Sequence, residues 1–268
     1  MYKVFVFDLD GTLLNDNLEI SKRDREALEK LSKKCSIVFA SGRMLVSTLN
    51  VEKKYFNKTF PTIAYNGAMI YIPEEGIVLN KKIPPEIARE IVEYIRSLNV
   101  HWQAYIDDVL YSEKDNEEIK GYAKHSSVDY RVEPKLSDLV SKVGTTKLLL
   151  IDSPERLDGL KEILSKRFEG SVKVFKSFPT YLEIVPKDVD KGKALNFLRE
   201  KMGWQKEEIV VFGDNENDLF MFEEAGLKVA MGNAIDKVKE AADIVTLTNN
   251  DSGVSHVLER ILADCFDE

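Results

Sequence analysis

Val4-Phe5-Val6-Phe7-Asp8-Leu9-Asp10-Gly11-Thr12 is the stretch on which the fold turns. Four apolar residues in unbroken succession fit a strand covered on both faces, as in a parallel sheet, and such sheets place ligands just beyond their strand ends. Alternate side chains on extended backbone point the same way, so Asp8 and Asp10 can face one ligand while Gly11 lets the chain turn sharply. Two carboxylates that close need a cation or a shared proton. Magnesium with a phosphate group supplies the first remedy, and a carboxylate that attacks phosphorus is an established nucleophile type. A strand followed by an acidic turn, with no chemistry, is the plainer reading of this segment by itself.

Outward from that strand, Ser21 opens a helix with Asp24 at capping spacing, and Ala27, Leu28 and Leu31 give it an apolar face. Ser36 to Ala40 is a second buried strand, Met44 to about Val51 a helix and Thr62 to Tyr65 a third strand. This alternation predicts right-handed parallel crossovers, which gather the strand ends on one edge of the sheet. Asn66-Gly67, between Thr62 to Tyr65 and Ala68 to Tyr71, has the form of a tight hairpin with positive backbone dihedrals. The pattern then changes. A helix over Pro84 to Leu98, strands near His101 to Ile106, Val109 to Tyr111 and Thr146 to Ile151, a helix from Pro154 to Phe168 behind Ser153, and a strand over Tyr181 to Val185 read as an α+β insert. Alternation resumes with a helix over Lys191 to Met202 and the strand Glu208 to Phe212. Asn217 to Ala225 is expected as helix, Val229 to Met231 as strand, Ala234 to Ala242 as helix capped by Asn233, Ile244 to Leu247 as strand, and Gly253 to Leu262 as the last helix. The fold class is therefore α/β: a doubly wound Rossmann-like parallel-sheet core over 1–82 and 187–268, interrupted by an α+β domain over 83–186.

Composition narrows the function. The chain has 268 residues, 44% hydrophobic and 31% charged, which suits a soluble globular protein of two domains, or of one with a large insertion. No apolar run reaches membrane-spanning length, and Asp8 cuts short the amino-terminal apolar stretch before any cleavage-like pattern, so a cytoplasmic location is the default expectation. Cys35 and Cys265 lack paired spacing, which argues against a disulfide framework or a thiolate metal site; a packed thiol and a tail residue are expected. A net charge of −8 speaks against general attraction to nucleic acid or anionic membranes, and no protein partner is inferred. A phosphorylated small molecule would need local positive charge.

Three further clusters fall at strand ends or helix starts. Ser41-Gly42-Arg43 follows Val38-Phe39-Ala40, so a hydroxyl and exposed amides can hold phosphate oxygens, although a plain cap and turn also has this form. Lys191-Gly192-Lys193 opens a helix that Asp190 can cap, and Lys191 there adds full positive charge to the helix dipole. Gly213-Asp214-Asn215-Glu216-Asn217-Asp218 follows a buried strand and offers two carboxylates to a hard cation, although acids in a first turn also simply complement the dipole.

Taken in order, Asp8-Leu9-Asp10-Gly11-Thr12, Ser41-Gly42-Arg43, Lys191-Gly192 and Gly213-Asp214 through Asn217-Asp218 resemble the motifs of the haloacid dehalogenase superfamily, most closely its Cof-type phosphatase branch. Asn66-Gly67-Ala68 and the large insert are similar to that branch too, whose insert forms an α+β cap that sets substrate specificity. The resemblance spans essentially the whole chain. It implies a Mg2+-dependent phosphatase in which Asp8 attacks a phosphomonoester and Asp10 protonates the leaving oxygen, then activates water. It also implies that the metal is held by Asp8, the backbone carbonyl of Asp10 and Asp214, with Asp218 supporting, and that Ser41, Gly42, Lys191 and Asn217 bind the phosphoryl oxygens. Asn66 and Arg43 are candidates for substrate contact, though the hairpin alone explains Asn66 and a surface charge explains Arg43. In the insert, His101, Trp102, Tyr105 and Asp107-Asp108 suit a polar substrate, and core packing with a polar turn explains them as well; His101 has no metal-ligand spacing to His125 or His256.

The expected substrate is a small phosphorylated metabolite, of sugar-phosphate type. A phosphosugar mutase of the same superfamily would share Asp8 and Asp10 and return the phosphoryl group to sugar. A phospho-acceptor signalling module is the rival without catalysis; its phosphorylated aspartate follows a later strand, and it has no cap.

Overall fold

The computed structural model describes the backbone of residues 1–266 and the side chains of residues 1–261, which leaves the Cys265 side chain outside the described residues. The chain begins with β1 (Val4–Asp8), α1 (Lys22–Leu31), β2 (Ser36–Ala40), α2 (Leu45–Phe56), β3 (Thr62–Ala64), β4 (Met69–Ile72) and β5 (Gly76–Asn80). Next come α3 (Pro85–Ser97), β6 (His101–Ile106), β7 (Val109–Ser112), α4 (Glu117–Ser126), β8 (Tyr130–Val132) and α5 (Leu136–Val143). These are followed by β9 (Lys147–Ile151), α6 (Pro154–Arg167), β10 (Val172–Phe178) and β11 (Tyr181–Pro186). The last part holds α7 (Lys191–Met202), β12 (Ile209–Gly213), α8 (Leu219–Phe222), β13 (Leu227–Ala230), α9 (Asp236–Ala241), β14 (Ile244–Val245) and α10 (Gly253–Phe266).

Two compact units form, one from Met1–Val78 with Asp190–Glu268, the other from Leu79–Val189. The sequence divides at 82/83 and 186/187, a few residues inside these joins. Bonds within the second unit explain the difference: Thr146 Oγ1 donates to Asn80 Oδ1, Lys81 Nζ to the Asp188 carbonyl, and Lys82 pairs with Asp107.

In the first unit the eight-stranded sheet runs β14-β13-β12-β1-β2-β3-β4-β5. From β14 through β3 every neighbour is parallel, while β3 and β4 are antiparallel. Strand order grows outward from β1 in both directions, so the winding reverses between β1 and β12, where open α/β sheets leave a crevice at the carboxyl ends. All five residues of β1 are buried, as an unbroken apolar run requires of a central parallel strand. The Ser21 hydroxyl accepts from the Asp24 N–H and so caps α1, as its spacing predicts.

The second unit is the expected α+β insert, a sheet in the order β10-β11-β9-β6-β7-β8, antiparallel except for β7 with β8. Trp102, Ala104, Leu148, Leu150, Leu182 and Ile184 alternate onto one face and form a core with Ala88, Ile91, Ile95, Leu136, Leu157 and Leu160 of α3, α5 and α6. Among the described residues, no helix is long and apolar enough to cross a membrane.

Three elements differ from expectation near the site. Between β3 and β4 the loop takes four residues, Tyr65 to Ala68, because the Tyr65 and Asn66 N–H groups leave the ladder for the carbonyls of Arg43 and Ser41. The helix expected over Asn217 to Ala225 shrinks to a 3-10 turn, Glu216–Asp218, and the short α8, since Asp218 turns its carboxylate back onto the chain. Asn233 does not cap α9, which begins behind Ile235; its side chain is engaged elsewhere.

Candidate active site

Phe7, Phe39 and Phe212 occupy the same register position on β1, β2 and β12. Their rings pack side by side, 4.9 Å between the centroids of Phe7 and Phe212 and 6.3 Å between those of Phe7 and Phe39. Each buried phenyl contributes about 1.5–3 kcal/mol. This ladder fixes the residues that come next, namely Asp8, Ala40 and Gly213, and the loops beyond them.

Lys191 enters the crevice from the first turn of α7. Its Nζ lies 2.5 Å from Asp8 Oδ1 and 2.8 Å from Asp218 Oδ1, with the Lys191 side chain fully buried. Asp190 caps this helix by accepting from the Lys193 N–H, and Gly192 lets the helix sit on the Phe220 carbonyl, 2.2 Å from where a Cβ would stand. Burial opposes the charge on Lys191, but Asp218 and Asp8 outweigh it and hold its pKa above the usual lysine value.

Both oxygens of Asp218 are engaged: Oδ1 takes Lys191, and Oδ2 takes the N–H groups of Asp214 and Asn215 at 2.9 and 3.1 Å. These contacts tie the ammonium of Lys191 to the backbone that carries Asp214. Asp214 accepts from Thr12 Oγ1 at 2.9 Å and lies beside Asp8. Burial, and then the charge of Asp218, push the Asp214 carboxyl up to about 6. Asp8 is raised well above its ordinary value, first by burial, against the pull of Lys191 and with repulsion from Asp218, Asp214 and Asp10.

Oxygens of Asp8, Asp214 and Asp218 lie within 4.8 Å of one another. Three desolvated carboxylates around a single ammonium carry surplus negative charge, and all the donors are hard oxygens. That set fits a divalent cation of the magnesium or calcium type, with Asp8 and Asp214 offering the uncommitted oxygens.

Opposite this cluster, β2 delivers Ser41, fully buried, whose Oγ accepts from the Arg43 N–H at 3.1 Å. The Arg43 guanidinium grips Asp10 as a fork, with Nε 2.8 Å from Oδ2 and Nη2 2.5 Å from Oδ1. Asn66 reaches the site through its own loop: Oδ1 accepts from Asn217 Nδ2 at 2.9 Å, and its amide lies against Gly42. Tyr65, Asn66 and Gly67 have φ of 52°, 53° and 103°, a run of left-handed residues costing roughly 1–3 kcal/mol at each non-glycine position. Gly67 is required there, since a Cβ would lie 2.2 Å from the Asp190 carbonyl. The loop thereby ties the Ser41, Lys191 and Asn217 segments together.

Asp8, Asp214, Asp218 and Lys191 thus meet directly, Asp10 joins Arg43, and Asn217 joins Asn66. Thr12, which donates to Asp214, and Asn233 and Asn249, which donate to the Gly11 and Leu14 carbonyls beyond the first motif's acids, are supporting residues that the sequence did not single out for the site. Thr12 had a signal, its place in the first motif; the other two had none. In the insert, Trp102 and Tyr105 are packed inside, His101 lies between Gln103 and Asn116, and Asp107-Asp108 makes the two-residue β6–β7 turn, both with positive φ.

A family model described as haloacid dehalogenase-like hydrolase matches residues 5–258. The chain belongs to that family. The resemblance to the haloacid dehalogenase superfamily, read from the four motifs, is borne out, and this haloacid dehalogenase-like hydrolase is an enzyme of the phosphatase kind. The crystal structure of TM0651 from Thermotoga maritima is similar to it at 83% identity, with 97% of each chain covered and a TM-score of 0.94. A haloacid dehalogenase-like hydrolase from Bacteroides thetaiotaomicron is 32% identical over 97% of this chain and 100% of its own, with a TM-score of 0.89. Among curated relatives, the 5-amino-6-(5-phospho-D-ribitylamino)uracil phosphatase YwtE of Bacillus subtilis is 28% identical over 97% of this chain and 98% of its own.

Proposed function

We propose that this hydrolase is a magnesium-dependent phosphatase for small phosphorylated metabolites, sugar-phosphate-like monoesters, acting through an aspartyl-phosphate. The observation that carries the proposal is the buried contact of Lys191 with both Asp8 and Asp218, beside Asp214, at the winding reversal of the sheet. Lys191 fixes one oxygen of Asp8 and leaves the other for in-line attack on phosphorus. As that P–O bond forms, the bond to the substrate oxygen breaks, and Asp10 gives the departing oxygen its proton. Asp10 then takes a proton from water, which attacks phosphorus, frees inorganic phosphate and restores Asp8. The carboxylates of Asp8 and Asp214 and the Asp10 carbonyl would hold magnesium, which when bound would supply positive charge to the phosphoryl oxygens.

The remaining work is positioning, which dominates phosphoryl transfer. Ser41, the Gly42 amide, Lys191 and Asn217 hold the phosphoryl oxygens, and Asn66 borders them through its bond to Asn217. Arg43 keeps Asp10 oriented between transfers. Proton transfer needs Asp10 outside that fork, since a protonated carboxyl offers the guanidinium fewer acceptor sites. Leu79–Val189 is assigned the choice of substrate, and the phosphorylated ribityl chain in the name of the Bacillus subtilis relative supports a polyol-like monoester.

Phosphate release from a panel of sugar and polyol phosphates, with magnesium or with EDTA, tests this on the wild type and Asp8→Asn. Metal-dependent release lost in Asp8→Asn is expected. Release that survives either EDTA or Asp8→Asn refutes it.

A further inference from the structure

Asn233 lies on an exposed turn between β13 and α9, and both ends of its amide are engaged. Its Nδ2 donates to the Gly11 carbonyl at 2.7 Å, and its Oδ1 accepts from the Asn249 N–H at 2.9 Å. Asn249 is buried and turns its own Nδ2 onto the Leu14 carbonyl, also at 2.9 Å. On either side of Asn233 the main chain is bound to the fourth motif: the Met231 and Ile235 N–H groups donate to the carbonyls of Gly213 and Asp214, each at 3.0 Å.

Gly11 and Leu14 lie in the turn that follows Asp10 beyond β1. Within that turn the N–H groups of Thr12, Leu13 and Leu14 all point to one acceptor, the Leu9 carbonyl. Gly11, at φ +82°, aims its carbonyl elsewhere, and a Cβ there would lie 2.3 Å from Asp214 Oδ2. Asn233 thus meets a peptide oxygen for which the turn has no donor of its own, in the Gly11–Thr12 peptide, one peptide beyond the bond that joins Asp10 to Gly11. Asp10 has a side chain about half exposed, held at its carboxylate by Arg43, and once it leaves that fork its direction depends on how this backbone is held.

We propose that Asn233 is a positioning residue for Asp10. By holding the Gly11 carbonyl it fixes the turn immediately after Asp10 and so the backbone on which Asp10 is set, and Asn249 anchors the far end of the same turn. This rests on the acid role given to Asp10 above. Nothing in the first motif announces the contact, because its partner lies in the loop after β13.

Leaving-group dependence separates this role from general support of the fold. An alkyl phosphate needs a proton on its departing oxygen, whereas a nitrophenyl phosphate expels a stable anion without one. The quantity to compare is kcat/KM, which ends with phosphoryl transfer to Asp8, for wild type, Asn233→Ala, Asn233→Asp and Asp10→Asn on both substrates with magnesium. Asn233→Asp keeps the acceptor for Asn249 and removes the donor to Gly11, so it tests the contact with the loop still joined. Both Asn233 variants are expected to lose about tenfold on the alkyl ester and less than about twofold on the aryl ester, a milder copy of Asp10→Asn. The melting profile of Asn233→Asp should match the wild type, since an exposed residue loses one neutral hydrogen bond, while Asn233→Ala loses two and should melt slightly lower. Equal losses on the two esters, or no loss on either, overturn the proposal. If Asp10→Asn itself fails to discriminate between the esters, the acid role of Asp10 is what falls.

Discussion

Glu52 gives a prediction that can be worked through in detail. It is fully buried on α2, with no lysine or arginine bound to it among the described contacts. Oε2 accepts from the Phe60 N–H at 2.7 Å, and Oε1 lies 2.6 Å from Thr62 Oγ1, which is also 2.9 Å from the Phe60 carbonyl. One hydroxyl proton cannot serve both acceptors. A protonated Glu52 resolves this by donating to Thr62, which then donates to Phe60. Burial accordingly pushes the Glu52 carboxyl up to about 8, against an ordinary value of 4.5. Below pH 4.5 both folded and unfolded chains hold the proton. From there to about pH 8 only the folded chain does, so stability falls by up to about 1.4 kcal/mol per pH unit, several kcal/mol in all. Glu52→Gln preserves the donor and acceptor pattern of the neutral acid and cannot ionise. Urea unfolding at pH 5, 7 and 9 should give similar stabilities at pH 5 and a growing advantage for Glu52→Gln above it. Parallel pH curves for the two proteins would refute the reasoning.

Lys191→Met strips the ammonium from two buried carboxylates and should cost about 3–5 kcal/mol in urea unfolding together with all phosphatase activity. Wild-type stability in that variant would mean that the contacts carry little energy. Thr12→Val removes the hydroxyl that orients Asp214 and should weaken magnesium binding, followed by calorimetric titration, by about 10- to 100-fold; unchanged affinity would remove Asp214 from the metal site. Gly67→Ala forces a Cβ onto the Asp190 carbonyl at φ +103° and should lose at least about 2 kcal/mol, read as a lowered melting temperature. A melt within a degree or so of wild type would show that the loop can yield.

How much of this was legible in the sequence follows from where each determinant lies. Val4 to Phe7 and Ile209 to Phe212 are apolar on both faces, so both central strands and the acids at their ends could be read locally. Crossover handedness then gathered Asp8, Ser41 and Asp214 on one edge. Asn233, Asn249, Glu52 and the Arg43–Asp10 fork were hidden because their meaning lies in a partner brought close by the fold. The capping pattern before α9 misled for the same reason: the Asn233 amide finds Gly11 in another loop, and α9 starts without it. In the insert, α4 has Gly121 in mid-helix, and β10 spreads Lys173 and Lys176 along an edge strand, so neither shows a clean period.

The central claim is that Asp8 itself receives the phosphoryl group. Acid-quenched turnover of a phosphomonoester with magnesium, followed by peptide mass mapping, should show the mass of one phosphoryl group on the peptide bearing Asp8, and none in Asp8→Asn. Phosphate released with the Asp8 peptide unmodified at every quench time, or a phosphoryl group on another residue, would contradict it.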